Sequence, residues 1–236
     1  KKFSFLGIEI TRTLHSIRLT QCTMIETLMK RFSLTPTHVS SPMAHDAKIT
    51  DLDDANFKPD HTEYRSLCGA LNYICTSTRP DCSYAIHQLC RKLSNPSFAD
   101  LRAARRVLQY LHSTRHDGLT YDARMSDAAC AYTDADYANQ IDNRRSVSGR
   151  CIMLHGAAVM WSSKQQSVVA LSTAESEYIA ASDAAKDCLW MRKLLKDLGH
   201  DMSAPTLLNE DNTAAMKWAT DSSAWSKTRH IDVKFH

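Results

Sequence analysis

Four acidic side chains stand out as candidates for chemistry. Asp134 and Asp136 sit two apart in the apolar and aromatic run AYTDADYA (131–138), Glu177 lies in a long helical pattern, and Asp211 ends the apolar stretch of LLNEDN (207–212). Residues two apart on a strand point to one face. Aspartate is a poor strand former, so two of them aimed at one side of a sheet need a reason. Carboxylates converging from two strand regions and a helix suit hard, oxygen-seeking cations such as Mg²⁺. Two such ions about 3.5–4 Å apart can clamp the attacking and leaving oxygens of a phosphodiester. The strand period does not choose between Asp134 and Asp136.

Glu177 is singled out by helical geometry. A helix is predicted over 174–198, capped by Ser172 or Thr173 and stopped at Gly199. With about 100° per residue, Ala181, Ala184, Ala185, Cys188, Met191 and Leu195 gather in one sector, the buried face. Glu177 falls near the middle of that sector. Glu175 falls opposite, with Lys186 and Lys193, and reads as a solvent carboxylate. A lone ionised carboxylate against a sheet is costly, so Glu177 needs an arginine partner or bound cations. Asp211 either caps the helix after it or marks the carboxyl end of a strand, where open α/β sheets place ligands.

The elements that must position these groups follow from the pattern. Strands are expected at 130–137, 149–155, 158–163, 167–171 and 206–210, and a final helix at 212–219. This order suggests an α/β sheet with a mixed edge. Upstream, strand-like runs at 3–10 and 16–20 form a hairpin, followed by a helix at about 22–32 and a polar, acidic loop over 40–62. Further helices at roughly 63–76, 81–93 and 97–113 are separated at Pro80 and Pro96. Leu101, Ala104, Leu108 and Leu111 form the apolar stripe of the last, with Arg102, Arg105 and Arg106 elsewhere on it. DARMSDAA (122–129) reads as a linker. The expected division is 1–122, a linker at 123–129, and a second domain over 130–236.

Composition narrows the function. The chain has 236 residues, 43% hydrophobic, and a net charge of +3. Residues 1–122 hold 16 Lys and Arg against 12 acids, and 123–236 hold 13 against 14. The first part therefore presents a surface for a polyanion, and its arginines are candidates for backbone phosphates. No apolar run approaches the ~20 residues that span a bilayer, so no membrane partner is expected. The eight cysteines contain no C-x-x-C pair, which argues against zinc and for free core thiols in a reducing compartment.

Longer stretches carry a resemblance. The run from YTDADYA through DNRRSVSGRCIMLHGAAVMWSSKQQSVVALSTAESEYIAASDAAKDCLWMRKLLKDLG resembles the ribonuclease H domain of copia-type retrotransposon Pol polyproteins. FLGIEI, YRSLCGALNYICTSTRPDCSYAIHQLCRKLSNPS and AARRVLQYLHSTRHDGL resemble the part between the polymerase palm and that domain. KTRHID near the end matches too, so the resemblance runs in order along nearly the whole chain.

It implies a ribonuclease H-like mixed sheet with flanking helices, preceded by a mostly helical thumb and connection region. It implies that Asp134, Glu177 and Asp211 hold two Mg²⁺ ions, with Mn²⁺ as a substitute, and it prefers Asp134 to Asp136. Asn212, Thr213 and His230 are assigned to the nucleic acid, with Thr213 standing where the family usually has Gln. Asp232 is assigned to a helix cap. Glu210 stands where the family has a small residue or Cys. Leu6, Gly7 and Ile8 resemble the primer grip.

The implied reaction is hydrolysis of the RNA strand of an RNA–DNA hybrid, next to the reverse transcriptase palm of the same polyprotein. The implied setting is a virus-like particle in the cytoplasm. The polymerase aspartate pair is expected upstream and a fourth active-site aspartate downstream. The alternative expectation is an inactive nucleic-acid-binding remnant of a decayed element.

Overall fold

The computed structural model describes residues 1–43, 60–138 and 144–220. The chain forms two compact units, Lys1–Asp122 and Ala123–His236. Among the described residues there are six α-helices and two four-stranded sheets, a mixed α/β protein. The acidic loop expected over 40–62 lies largely outside the described residues, as do His230 and Asp232.

In the first unit, β1 (Lys2–Phe5), β2 (Ile8–Arg12), β3 (Ser16–Thr20) and β4 (Leu119–Asp122) form an antiparallel sheet in that order. The strand expected over 3–10 is two strands, because Leu6 and Gly7 both have positive φ, 49° and 76°. Phe5 pairs with Ile8 across them, and a two-residue loop with two left-handed residues matches the twist of a hairpin. The Leu6 carbonyl accepts a hydrogen bond from the Tyr73 hydroxyl. Leu6, Gly7 and Ile8 thus form the tip and first paired residue of this hairpin. β4 carries no long apolar pattern and was not expected; its pairing with β3 supplies the order its own four residues lack.

The helices of this unit are α1 (Cys22–Arg31), α2 (His61–Ser77), α3 (Ser83–Cys90) and α4 (Phe98–Ser113). Pro80 opens a short 3-10 turn before α3. Ser97 and Asp100 form a reciprocal capping box that starts α4 after Pro96. The expected stripe Leu101, Ala104, Leu108 and Leu111 is buried, together with Val107, against Leu67, Leu71 and Ile74 of α2 and Ile25 and Leu28 of α1. Arg79 is held between Asp81, at 2.7 and 2.9 Å, and the carbonyl and hydroxyl of Thr114.

The second unit is built on β5 (Cys130–Asp136), β6 (Val147–Leu154), β7 (Ala157–Gln165) and β8 (Leu207–Asn209), in the sheet order β7-β6-β5-β8. β5 is antiparallel to β6 and parallel to β8. The strands expected at 158–163 and 167–171 are one strand and a non-strand segment: β7 runs unbroken to Gln165, then leaves the sheet. α5 (Thr173–Asp197) connects β7 to β8, and α6 (Thr213–Thr220) follows β8. Ser172 caps α5, its hydroxyl accepting the Glu175 N–H at 3.2 Å. Ala184, Cys188, Met191 and Leu195 form the buried stripe of α5, and Cys188 packs on Ala131 and Ile152 of the sheet. All eight cysteines are free thiols.

A candidate metal centre

Three carboxylates meet in the second unit. Oxygen atoms of Asp134, Glu177 and Asp211 lie within 4.8 Å of one another. Each arrives by a different route. On β5, Ala131, Thr133 and Ala135 are buried, while Tyr132, Asp134 and Asp136 share the exposed side. The parallel register of β5 and β8 pairs Tyr132 with Asn209. Asp134 stands two residues past the first of these and Asp211 two past the second. In-step parallel strands therefore deliver both aspartates to the same carboxyl end of the sheet, the usual place for a ligand in an α/β sheet. Asp136 lies outside the triad.

Glu177 comes from the second turn of α5 and is 4% exposed. The placement of that turn depends on Gln166, which is buried and donates to Ser148 Oγ at 2.9 Å and to the Ser176 carbonyl at 2.8 Å. Gln166 thus ties the start of α5 to β6. Nothing in the sequence marks it, since a glutamine just past a strand looks like a surface residue.

Glu175, expected in solvent, is also 4% exposed. Its carboxylate accepts the Leu171 N–H at 2.8 Å. A helical wheel assigns one buried face, but the first two turns of α5 are covered on several sides. Ala170, Tyr178, Ile179 and Ala215 pack together there. Glu175 is thus a buried structural acceptor.

The electrostatics set Glu177 apart. Its Oε2 is buried and has no hydrogen-bond partner. Burial, followed by the charges of Glu210, Asp134 and Asp211, pushes its carboxyl up to about 7, against a smaller opposing effect from the Ala135 backbone. Burial also pushes Glu210 up, partly offset by the backbone of Asn212. Arg150 on β6, a candidate arginine partner, pairs instead with Asp187, farther along α5. A donor set made only of carboxylate oxygens, one of them buried and unmatched, fits a hard divalent cation.

The helix cap after β8 belongs to Asn212. Its Oδ1 accepts the N–H groups of Ala214 and Ala215, each at 3.0 Å. The capping role considered for Asp211 is therefore filled by its neighbour, and Asp211 stays with the triad. Thr213 is exposed at the first turn of α6.

In the first unit, Arg102 is exposed. Arg105 pairs with Glu63 at 2.7 Å, and Arg106 reaches Ser41 Oγ at 3.4 Å. Arg105 thus has an acidic partner within its own unit.

Comparison with known proteins matches this chain to transposon polyproteins. It is 34% identical over 98% of its length to the retrovirus-related Pol polyprotein from transposon TNT 1-94 of Nicotiana tabacum. It is also 34% identical over 98% of its length to the one from transposon RE2 of Arabidopsis thaliana.

The chain belongs to the family of copia-type retrotransposon Pol polyproteins.

It spans 18% and 16% of those two copia-type Pol polyproteins. A shorter relative, secreted RxLR effector protein 161 of Plasmopara viticola, is 40% identical over 54% of the chain and 90% of its own length. No family model matches the chain, and no solved structure matches it. Among the described residues, no helix is long and apolar enough to cross a membrane.

Proposed function

We propose that the second unit is a ribonuclease H-type domain that hydrolyses the RNA strand of an RNA–DNA hybrid with two bound Mg²⁺ ions. The observation that carries this is the convergence of Asp134, Glu177 and Asp211 at the carboxyl end of parallel β5 and β8, with one buried oxygen unmatched. When bound, the cations supply a water of lowered pKa and neutralise the leaving oxygen.

The chain's own residues do the rest. Asp134 and Asp211, both exposed, present their oxygens to the side from which substrate arrives. Glu177, buried on the turn of α5 that Gln166 ties to β6, faces them from the protein side. Exposed Arg102, together with Arg106, contributes to the basic surface of the first unit that takes the hybrid's phosphates. Thr213, Asn212 and His230 serve the strand being cut, where 2′-hydroxyl contacts separate RNA from DNA. The Leu6–Gly7–Ile8 hairpin serves the primer end beside the polymerase palm of the same polyprotein.

The test is cleavage of a hybrid labelled on its RNA strand, with Mg²⁺ and then Mn²⁺, by the wild-type chain and by Asp134→Asn. Cation-dependent cleavage that falls by about 100-fold or more in the variant supports the reading. Hybrid binding without cleavage in the wild type replaces it with the inactive binding remnant. Preferential cutting of duplex DNA replaces it with a different nuclease.

A further inference from the structure

Gln166 is the first residue beyond β7 and is 5% exposed. Its own N–H donates to the Ser146 carbonyl at 2.9 Å, which anchors it beside the start of β6. Its side-chain Nε2 donates in two directions, to Ser148 Oγ on β6 at 2.9 Å and to the Ser176 carbonyl on α5 at 2.8 Å. Ser148 stands opposite Ala135 in the sheet, the residue after Asp134. The Ser176 carbonyl belongs to the peptide group whose nitrogen is that of Glu177, and a peptide group moves as one plane. The amide therefore links the strand pair that carries Asp134 to the backbone that carries Glu177. A carbonyl only accepts, so the amide nitrogen must face Ser176. The amide oxygen is left buried and, among the described residues, without a hydrogen-bond partner. An apolar side chain of the same shape would fill this place without that cost. What the amide adds is direction.

We propose that Gln166 is a positioning residue of the metal centre: by holding the Ser176 carbonyl it sets where the Glu177 carboxylate stands, and with it the affinity for a divalent cation. The inference rests on the metal-centre reading of Asp134, Glu177 and Asp211. A cation such as Mg²⁺ demands oxygens at about 2.0–2.1 Å in near-ideal geometry, so a small displacement of one ligand is felt. A second tie between β6 and α5 supplies the contrast. Arg150, two residues along β6 from Ser148, pairs with Asp187. At about 1.5 Å per residue, Asp187 lies roughly 15 Å along the helix from Glu177. This pair holds the same helix to the same strand, but far from the carboxylates.

The experiment is a Mn²⁺ titration of the 236-residue chain, read by electron paramagnetic resonance of free Mn²⁺. Thermal melting in EDTA establishes that each chain is folded. Wild type, Gln166→Met, Ser148→Ala and Arg150→Met are compared. Gln166→Met keeps the shape and loses the donor. It is expected to bind Mn²⁺ about tenfold or more weakly, the scale on which groups behind metal ligands shift affinity. Ser148→Ala frees the amide from β6 alone; its affinity falls between those of Gln166→Met and the wild type, and it decides the matter if Gln166→Met does not fold. Arg150→Met lowers the melting temperature and leaves the Mn²⁺ affinity unchanged.

Wild-type affinity in Gln166→Met, or in Ser148→Ala where Gln166→Met does not fold, would overturn the proposal. So would a loss in Arg150→Met as large as that in Gln166→Met, since the amide would then do no more than hold the helix to the sheet. A wild-type chain that binds no Mn²⁺ removes the metal centre itself, and this role with it.

Discussion

The raised carboxyl of Glu177 makes stability in the absence of divalent ions depend on pH in a direction that can be worked out. The folded chain holds that proton up to about 7, against 4.5 for an ordinary glutamate. The folded state therefore binds the proton more tightly than the unfolded state. The stabilisation is complete below about pH 4.5 and is lost as pH rises through about 7. Each tenfold difference in proton affinity is worth about 1.36 kcal/mol, so the whole shift bounds the effect at roughly 3 kcal/mol. Asp134 and Asp211 are exposed, and solvent screens their share, which leaves about 1–2 kcal/mol to be observed.

The comparison is with Glu177→Gln, which cannot titrate. His87, in the first unit, works in the opposite direction because burial lowers its pKa. Its effect is common to both proteins and cancels in the difference. All four tryptophans lie in residues 123–236, so fluorescence during urea unfolding reports the second unit. In EDTA, the wild type should lose about 1–2 kcal/mol relative to Glu177→Gln between pH 5 and pH 8. Adding Mg²⁺ at pH 8 should recover much of that loss for the wild type alone. Parallel pH profiles for the two proteins would refute the reasoning, because Glu177 would then carry no raised carboxyl.

Other expectations concern individual side chains. Asp134→Asn should abolish cation-dependent hybrid cleavage, whereas Asp136→Asn, outside the triad, should keep most of it; assays of both at matched folded fraction check this. Asn212→Ala removes the acceptor for two N–H groups of α6 and should cost about 1 kcal/mol, read from the same fluorescence-monitored unfolding. Arg79→Ala removes the ion-pair partner of Asp81, which keeps the Tyr110 hydroxyl, and empties a site 2% exposed. With Asp81 partly in water, the loss should be about 2–3 kcal/mol rather than the larger cost of a fully buried pair, measured by far-ultraviolet circular dichroism during urea unfolding.

The site was legible in the sequence where chemistry follows from local periodicity. A strand period put Asp134 and Asp136 on one side of β5, and a helix period turned Glu177 inward. Both follow from backbone geometry, which neighbouring residues fix among themselves. The apolar stripe of α4 was legible for the same reason, whereas the sequence offered Ser172 or Thr173 as the cap of α5 and the structure chose Ser172. Where coverage comes from more than one direction, the local pattern misled. Glu175 lies opposite the buried stripe of α5, yet the segment before the helix closes over it. The sequence also could not divide the 3–10 run at Leu6 and Gly7, since a turn with two left-handed residues is decided by the pairing on either side.

By itself, then, the sequence determined which residue types face which side of each element. Its long resemblance to the Pol polyproteins selected Asp134 over Asp136. The tertiary structure decided what meets what. The parallel register of β5 and β8 brings Asp134 and Asp211 to the same end of the sheet, and Gln166 ties Glu177 into place beside them. Asn212 takes the cap and leaves Asp211 to the triad, while Glu210 keeps a buried oxygen without a donor. Each of these depends on contacts between residues far apart in the chain or on competition among neighbours for one N–H. Neither has a period that a sequence can display.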